Sequence, residues 1–250
     1  MIRSLLVRGM LVGAVAGTLA FVFALLFGEP QVDKAVAFEE QLARLANEPV
    51  EPEVVSRGVQ STLGLFTGTF VMGVALGGIF GLVFAYAYGR IGAIGPRVTA
   101  AVLALAAFLT ITLVPFTKYP ANPPTVGNPD TIDRRTLLFF TMIAISILAA
   151  VAAARVRRAT LPRLGAWGAS TLAVGAFLTL IVIAELILPA VHETPKGFPA
   201  DVLYDFRIAS LGISATLWTT IGLGFGALAE RVLASAQSPR SVVPTGLQPD

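Results

Sequence analysis

The side chains of this 250-residue chain that could do chemistry cluster in two short segments. His192 is the only histidine, and Glu193 follows it directly. Glu185 precedes both, in TLIVIAELILPAVHE, as a carboxylate inside an apolar run. Asp205 and Arg207 come shortly after. Imidazole with carboxylates accepts borderline divalent ions such as Co2+, Ni2+ or Zn2+. If a helix continued through Pro189, Glu185 and His192 would share a face. An ionisable group in an apolar run is costly and points to function. The plainer reading of Glu185 is an ion pair with Arg207 or Arg135, or a side chain snorkelling to the nearby surface. One histidine with carboxylates makes a weak site unless another chain adds nitrogen ligands. In the second segment Lys118 and Tyr119 precede Asn122, Asn128, Asp130 and Asp133. Oxygen ligands of this kind suit a hard or hydrated cation. Interfacial anchoring and turn chemistry is their simpler role.

Other chemistries fail on residue types. HETPK is not HExxH, so a zinc-protease motif is absent. GLGFG at Gly222 to Gly226 follows no strand, lacks a P-loop lysine and lies in an apolar run. There is no cysteine, hence no disulfide, thiolate metal site or redox thiol. No paired catalytic groups stand out, and we expect no enzyme and no tightly bound cofactor. The sequence pI is about 9.6, but the basic residues are scattered over short loops without interleaved aromatics, so nucleic acid is not the expected partner.

The elements that must position these groups are apolar. Hydrophobic residues make up 55% of the chain and charged ones 13%, and the mean hydropathy is +0.78. Stretches 5–27, 59–88, 98–116, 136–154, 166–188 and 208–229 are apolar on every face. A bilayer core of about 30 Å takes about 20 helical residues. A soluble core helix would instead be amphipathic. The sequence therefore predicts an all-α integral membrane protein, a six-helix transmembrane bundle forming a single domain over 1–234. A disordered cytoplasmic tail is expected over 235–250. The first stretch is too long for a signal-peptide core and reads as an uncleaved span.

Basic residues orient the bundle. Arg3 and Arg8, Arg90 and Arg97, the dense run Arg155 to Arg163, and Arg231 and Arg240 fall on one side of six spans. Their density in short loops places both termini in the cytoplasm of a multi-pass inner-membrane protein. The opposite loops, 28–58, 117–135 and 189–207, carry 12 of the 15 acids, a field that attracts cations. Each odd span is expected to end at a proline, Pro30, Pro115 or Pro189, and each even span to begin just after an arginine. This suggests three hairpins in parallel repeat, although prolines and charges also gather at helix ends without any repeat. Loop one has an amphipathic stretch from Asp33 to Asn47, expected to be a short helix lying on the outer surface. The other two loops are too proline-rich for helix.

Glycines recur at four-residue spacing: Gly9, Gly13 and Gly17; Gly64 and Gly68; Gly73, Gly77 and Gly81; Gly222 and Gly226. Each set makes a groove that lets another helix approach closely. They predict a tight bundle, contact with a second membrane subunit, or a homo-oligomer.

PFTKYPANPPTVGNPDT at Pro115 to Thr131, LPAVHETPKGFPADVLYDFRIASLGISATLW at Leu188 to Trp218, and the opening RSLLVRGMLVGAVAGTLAFVFALLFGEP resemble the CbtA-type predicted cobalt transporter subunit family. The likeness runs from Arg3 to about Leu233. It implies a bacterial or archaeal inner-membrane protein for cobalt uptake linked to cobalamin synthesis. It also implies a small, one-span, histidine-rich partner subunit that would supply the missing nitrogen ligands. The matching positions are Lys118, Tyr119, Pro120, Asn122, Pro123 and Pro124, and His192, Glu193, Pro195, Gly197, Phe198, Pro199, Asp205 and Arg207. The leading expectation is a Co2+ transport subunit in which His192, Glu193 and Glu185, with Asp205, make a first weak contact. A permeation site must release its ion. The alternative is a non-transporting membrane scaffold whose proline-rich outer loops recruit an extracytoplasmic partner.

Overall fold

The computed structural model describes residues 2–47, 55–124, 126–191 and 193–237. His192, the prolines of NEPVEPE and most of the tail lie outside the described residues. Five helices, each long and apolar enough to cross a membrane, make up nearly all of the rest. They are α1 (Ile2–Ala46), α2 (Arg57–Ala87), α3 (Pro96–Lys118), α4 (Ile132–Ile187) and α5 (Ala200–Gln237). No strand occurs among the described residues.

Helix α4 is not one straight rod. Gly165 breaks it with φ 66° and ψ 179°, a backbone conformation that costs a side-chain-bearing residue dearly. Met142 and Ala149 before the break share a core with Ile181 and Ala184 after it. In a straight helix Met142 and Ile181 would stand about 58 Å apart. Arg157 Nε also donates to Ser170 Oγ at 3.1 Å. The helix therefore folds back on itself, with limbs 132–164 and 166–187 side by side. The basic run Arg155 to Arg163, expected as a loop, is helical, and Gly165 alone makes the turn.

The amphipathic stretch of loop one is helical but not separate. It continues α1, which runs unbroken for 45 residues, about 68 Å at 1.5 Å per residue. Asn47 ends it in the left-handed region at φ 52°. The apolar face of this extension meets the other loops. Ala35 and Phe38 pack with Val126, Phe198 and Val202 in a small core outside the apolar spans. Phe38 and Phe198 meet edge to face at 5.2 Å. A surface-lying orientation was the wrong expectation, because these loops offer the apolar face a protein partner.

Two of the three prolines expected to end spans do not. Proline removes an N–H and clashes with the carbonyl four residues back. Here a widened π turn takes up both defects: Ala24–Gly28 before Pro30 and Phe108–Leu113 before Pro115. In the second, the Val114 N–H reaches back to Leu109 O. The Thr110 carbonyl is then left facing the donorless Pro115. The buried Ser146 hydroxyl, shared with its own Ile143 carbonyl, donates to it across the α3–α4 contact. Only Pro189 acts as expected. Leu188 before it is extended (φ −71°, ψ 141°), as a residue preceding proline prefers, and the helix stops at Ile187.

The bundle centres on α1. Gly9, Gly13 and Gly17 face Gly77, Gly73 and Thr69–Phe70 of α2 running antiparallel, and Gly81 faces Leu5. A methyl group added at Gly13 would lie 2.1 Å from the Gly73 carbonyl oxygen, so the two backbones touch. Gly222 and Gly226 of α5 meet Ala104 and Ala100 of α3 in the same way. These glycine faces are therefore filled from within the chain. Gly64 and Gly68 are the exceptions: Gly68 has nothing within 4 Å, and Gly64 meets only the Val59 carbonyl of its own helix. Leu5, Val12, Phe80, Phe84, Ile221 and Phe225 fill the core between α1, α2, α3 and α5.

Gly77→Val should destabilise the detergent-extracted protein by at least about 1–3 kcal/mol, the range for overpacking, or prevent folding. Gly68→Val should leave the melting temperature unchanged. Ser146→Ala should cost about 1–3 kcal/mol, because it leaves the buried Thr110 carbonyl without a donor. Size-exclusion profiles after graded heating check all three.

Candidate functional site

The two motif segments meet at one end of the bundle. The Pro115–Pro124 stretch sits at the end of α3, with Pro115 and Pro123 fully buried. Its polar groups reach out to two other helices. Thr117 Oγ donates to Glu185 Oε1 at 2.6 Å, and Lys118 Nζ donates to the Glu185 backbone carbonyl at 2.6 Å. Tyr119 Oη donates to the Pro189 carbonyl at 2.8 Å. Burial raises the Tyr119 pKa, against the opposing charge of Arg134, so the phenol keeps its proton and stays a donor. Arg207, on the first turns of α5, donates through Nε to Ala121 O at 3.3 Å and through Nη2 to Asn122 Oδ1 at 3.0 Å. Lys118, Tyr119, Asn122 and Arg207 thus staple the ends of α3, α4 and α5.

Glu193 links the remaining loops. Its Oε2 accepts from Thr131 Oγ at 2.8 Å and from the Asn128 amide at 3.1 Å, with Arg135 Nε 3.3 Å away. The Thr131 hydrogen bond, then the Asn128 amide, hold the Glu193 carboxyl below its ordinary value. Partial burial opposes this, and Arg135 and Arg134 reinforce it. Arg135 Nη2 donates to Asn128 O at 3.1 Å. Its guanidinium also occupies the space where a Gly127 side chain would sit, 2.3 Å from the position of an added methyl. Gly127 has φ 128°, so both its backbone and its neighbour require glycine. Sequence reasoning missed Gly127 and Thr131, and it singled out Asn128 as a cation ligand rather than as a partner of Glu193. Asn128 was visible as an Asx turn, since its side chain accepts from the Asp130 amide at 2.9 Å.

The structure therefore brings Glu185 and Glu193 to the same end of the bundle, each with hydrogen-bond partners. It does not put Glu185 in an ion pair with Arg207 or Arg135. Because the helix stops at Ile187, Glu185 and whatever follows Pro189 do not share a helical face as expected. Asp205 is exposed on α5. His192 lies outside the described residues. Among the described residues no three potential metal ligands are grouped.

The far end carries other links. Arg97 pairs with Glu230 at 2.6 Å, joining α3 to the end of α5. Arg57 at the start of α2 reaches Glu29 and Asp33 on the α1 extension, back at the motif end. Two open cavities lie between helices, away from the polar end. One of about 540 Å³ is lined by Leu6, Met10, Val74 and Gly78, and one of about 350 Å³ by Ala101, Phe108, Trp218 and Gly222. Both linings are almost wholly apolar, and neither can hold an ion.

The family described as "probable cobalt transporter subunit (CbtA)" matches residues 2–230, which include both motif segments. No curated protein and no solved structure matches the chain.

The lowered Glu193 pKa fixes the sign of one pH effect. The link is fully formed above the carboxyl's ordinary value, near 4.5, and is lost as pH falls through its lower folded value. Hydrogen exchange at Asn128 should rise as pH is lowered through this range, after correction for intrinsic rates. Glu193→Gln should show the raised exchange already at pH 7 and lose the acid-dependent step.

Proposed function

The chain belongs to the CbtA family of cobalt transporter subunits, and on that premise we propose that it is the membrane-embedded subunit of a Co2+ uptake transporter in the inner membrane, serving cobalamin synthesis. The observation that carries this reading is the convergence of the two motif segments into one polar face. Lys118 and Tyr119 bond the carbonyls of Glu185 and Pro189, Arg207 bonds Asn122, and Glu193 bonds Thr131 and Asn128, each link joining segments far apart in sequence.

Both limbs of α4 cross the bilayer in this reading, giving six spans in three hairpins. The start of α1, the Gly165 turn and the end of α5 then face the cytoplasm. The acidic loops face outward and raise the local cation concentration. An arriving Co2+ meets His192 with Glu185, Glu193 and Asp205. Glu193 Oε2 already accepts two hydrogen bonds, so a metal there competes with Thr131 and Asn128. Contact is accordingly weak, as passage requires. A small one-span subunit with a histidine-rich segment supplies further nitrogen ligands, since imidazole binds Co2+ well.

A second reading has one observation in its favour. Every staple residue is engaged inside the chain, as a scaffold's would be. There the proline-rich face recruits an extracytoplasmic partner and no ion crosses.

His192→Ala combined with Glu185→Gln should depress radioactive Co2+ uptake in cells lacking other importers, at unchanged membrane abundance. Unchanged uptake would remove both residues from the site. Reconstituted vesicles that take up no Co2+, with or without the small subunit, favour the scaffold. A reporter inserted at Gly165 and found outside the cell would overturn the orientation.

A further inference from the structure

The arginines of this chain fall into two classes. Among the described residues Arg44, Arg57, Arg97 and Arg135 each lie within 4 Å of a carboxylate. The other described arginines have no carboxylate in that range, and five of them, Arg90, Arg155, Arg157, Arg158 and Arg163, belong to the α2–α3 turn and the middle of α4. The cause is visible in the sequence: no acid occurs anywhere in 54–129 or 134–184. Yet the fold sets Arg158 of α4, with Arg155 one turn away, against the turn that carries Arg90. Arg155 and Arg158 are one turn apart on the first limb of α4 and share a face. Arg158 Nη2 donates to the backbone carbonyl of Arg90, in the turn between α2 and α3. Arg90 in turn donates to Tyr86 O at 2.6 Å and lies 5.0 Å over the Tyr86 ring. These contacts position the groups but neutralise no charge.

The setting adds a second feature. Arg90, Arg155, Arg158 and Arg163 are exposed. Tyr86 is 73% exposed and Trp167, just past the Gly165 turn, is 86% exposed. Tyr and Trp concentrate at the level of lipid headgroups, where one end of the ring is apolar and the other wet. Exposed arginines without counter-ions beside exposed interfacial aromatics match a phosphate carried on an acyl chain. An arginine fork can take phosphate oxygens in pairs.

We propose that Arg155 and Arg158, with Arg90, form a binding site for the headgroup of an anionic phospholipid at the arginine-bearing end of the α2–α3 and α4 turns. The proposal shares with the transport reading only the assumption that α2 and α4 lie in a bilayer. The lipid supplies the negative charge that the sequence omits here, and it ties the peripheral α4 hairpin to the α2–α3 turn.

The full-length protein is purified in a mild detergent and titrated with phosphatidylglycerol, phosphatidylcholine of the same chain length, or glycerol 3-phosphate, with bound lipid read by native mass spectrometry. Wild type should retain phosphatidylglycerol over phosphatidylcholine, and Arg155→Gln/Arg158→Gln should lower that retention by about tenfold. Arg3→Gln/Arg231→Gln, which removes two exposed basic groups elsewhere at the same end, should change it less than twofold. Equal losses in the two double variants would overturn the proposal by showing diffuse attraction. Equal retention of both lipids by wild type would overturn it as well. Saturation by glycerol 3-phosphate alone, at the lipid's affinity, would reassign the site to a free phosphate ester. No readout involves cobalt, so failure here and failure of the transport reading are distinguishable.

Discussion

A backbone carbonyl in hydrocarbon has no water to turn to, and this chain is arranged around that constraint. An unsatisfied polar group in lipid costs several kcal/mol, so proline inside a span is tolerated only where something else supplies the missing partner. The π turn before Pro115 leaves the Thr110 carbonyl without a backbone donor, and Ser146 answers it from α4. A local defect thereby becomes a tertiary contact. It fixes the register of α4 against α3, and through Met142 and Ile181 it fixes the second limb of α4 as well. Where no side chain had to intervene, glycines let the backbones meet directly. That is how α1 holds α2, while in α5 the glycines receive the methyl groups of Ala100 and Ala104 of α3.

Much of this was legible in the sequence, for reasons that differ from residue to residue. Charge-free apolar runs announce membrane helices, because lipid admits few alternatives. The four-residue glycine period announced close packing, and Gly9, Gly13, Gly73 and Gly77 do pack closely. Their partners were not legible, because a small-residue groove does not say what fills it. Pro30 and Pro115 misled because proline reads as a stop, whereas a π turn can absorb it. The extension of α1 misled because an amphipathic face needs an apolar surface without specifying lipid or protein. Phe198 and Val126 supplied that surface from loops distant in sequence. Among the polar residues, Glu185 and Glu193 stood out as carboxylates. Their partners Thr117 and Thr131 did not, since a threonine near a proline is unremarkable until the loops are folded together, and Asn128 stood out only as an oxygen ligand.

The motif residues divide by what they touch. Lys118, Tyr119, Asn122 and Arg207 hold helix ends to one another, and Glu193 holds loop to loop. Such links make this face of the bundle rigid. A rigid face presents ligands in a fixed array, and proline-rich loops suit it because their backbones have little freedom to lose. The same staples join α3, α4 and α5 at one end, while Arg97 and Glu230 join α3 and α5 at the other. The bundle is pinned at both ends and greasy between them.

The unbroken length of α1 has a mechanical meaning. Its lower half is locked to α2 through touching backbones, and its upper half lies against Phe198, close in sequence to the only histidine of the chain. One continuous helix therefore runs from the first turn of the chain to the loop that carries Phe198. A small tilt or slide of α1 at the glycine contact is passed along the helix toward its far tip, and the π turn at Ala24–Gly28 before Pro30 is the place along it where the helix can bend.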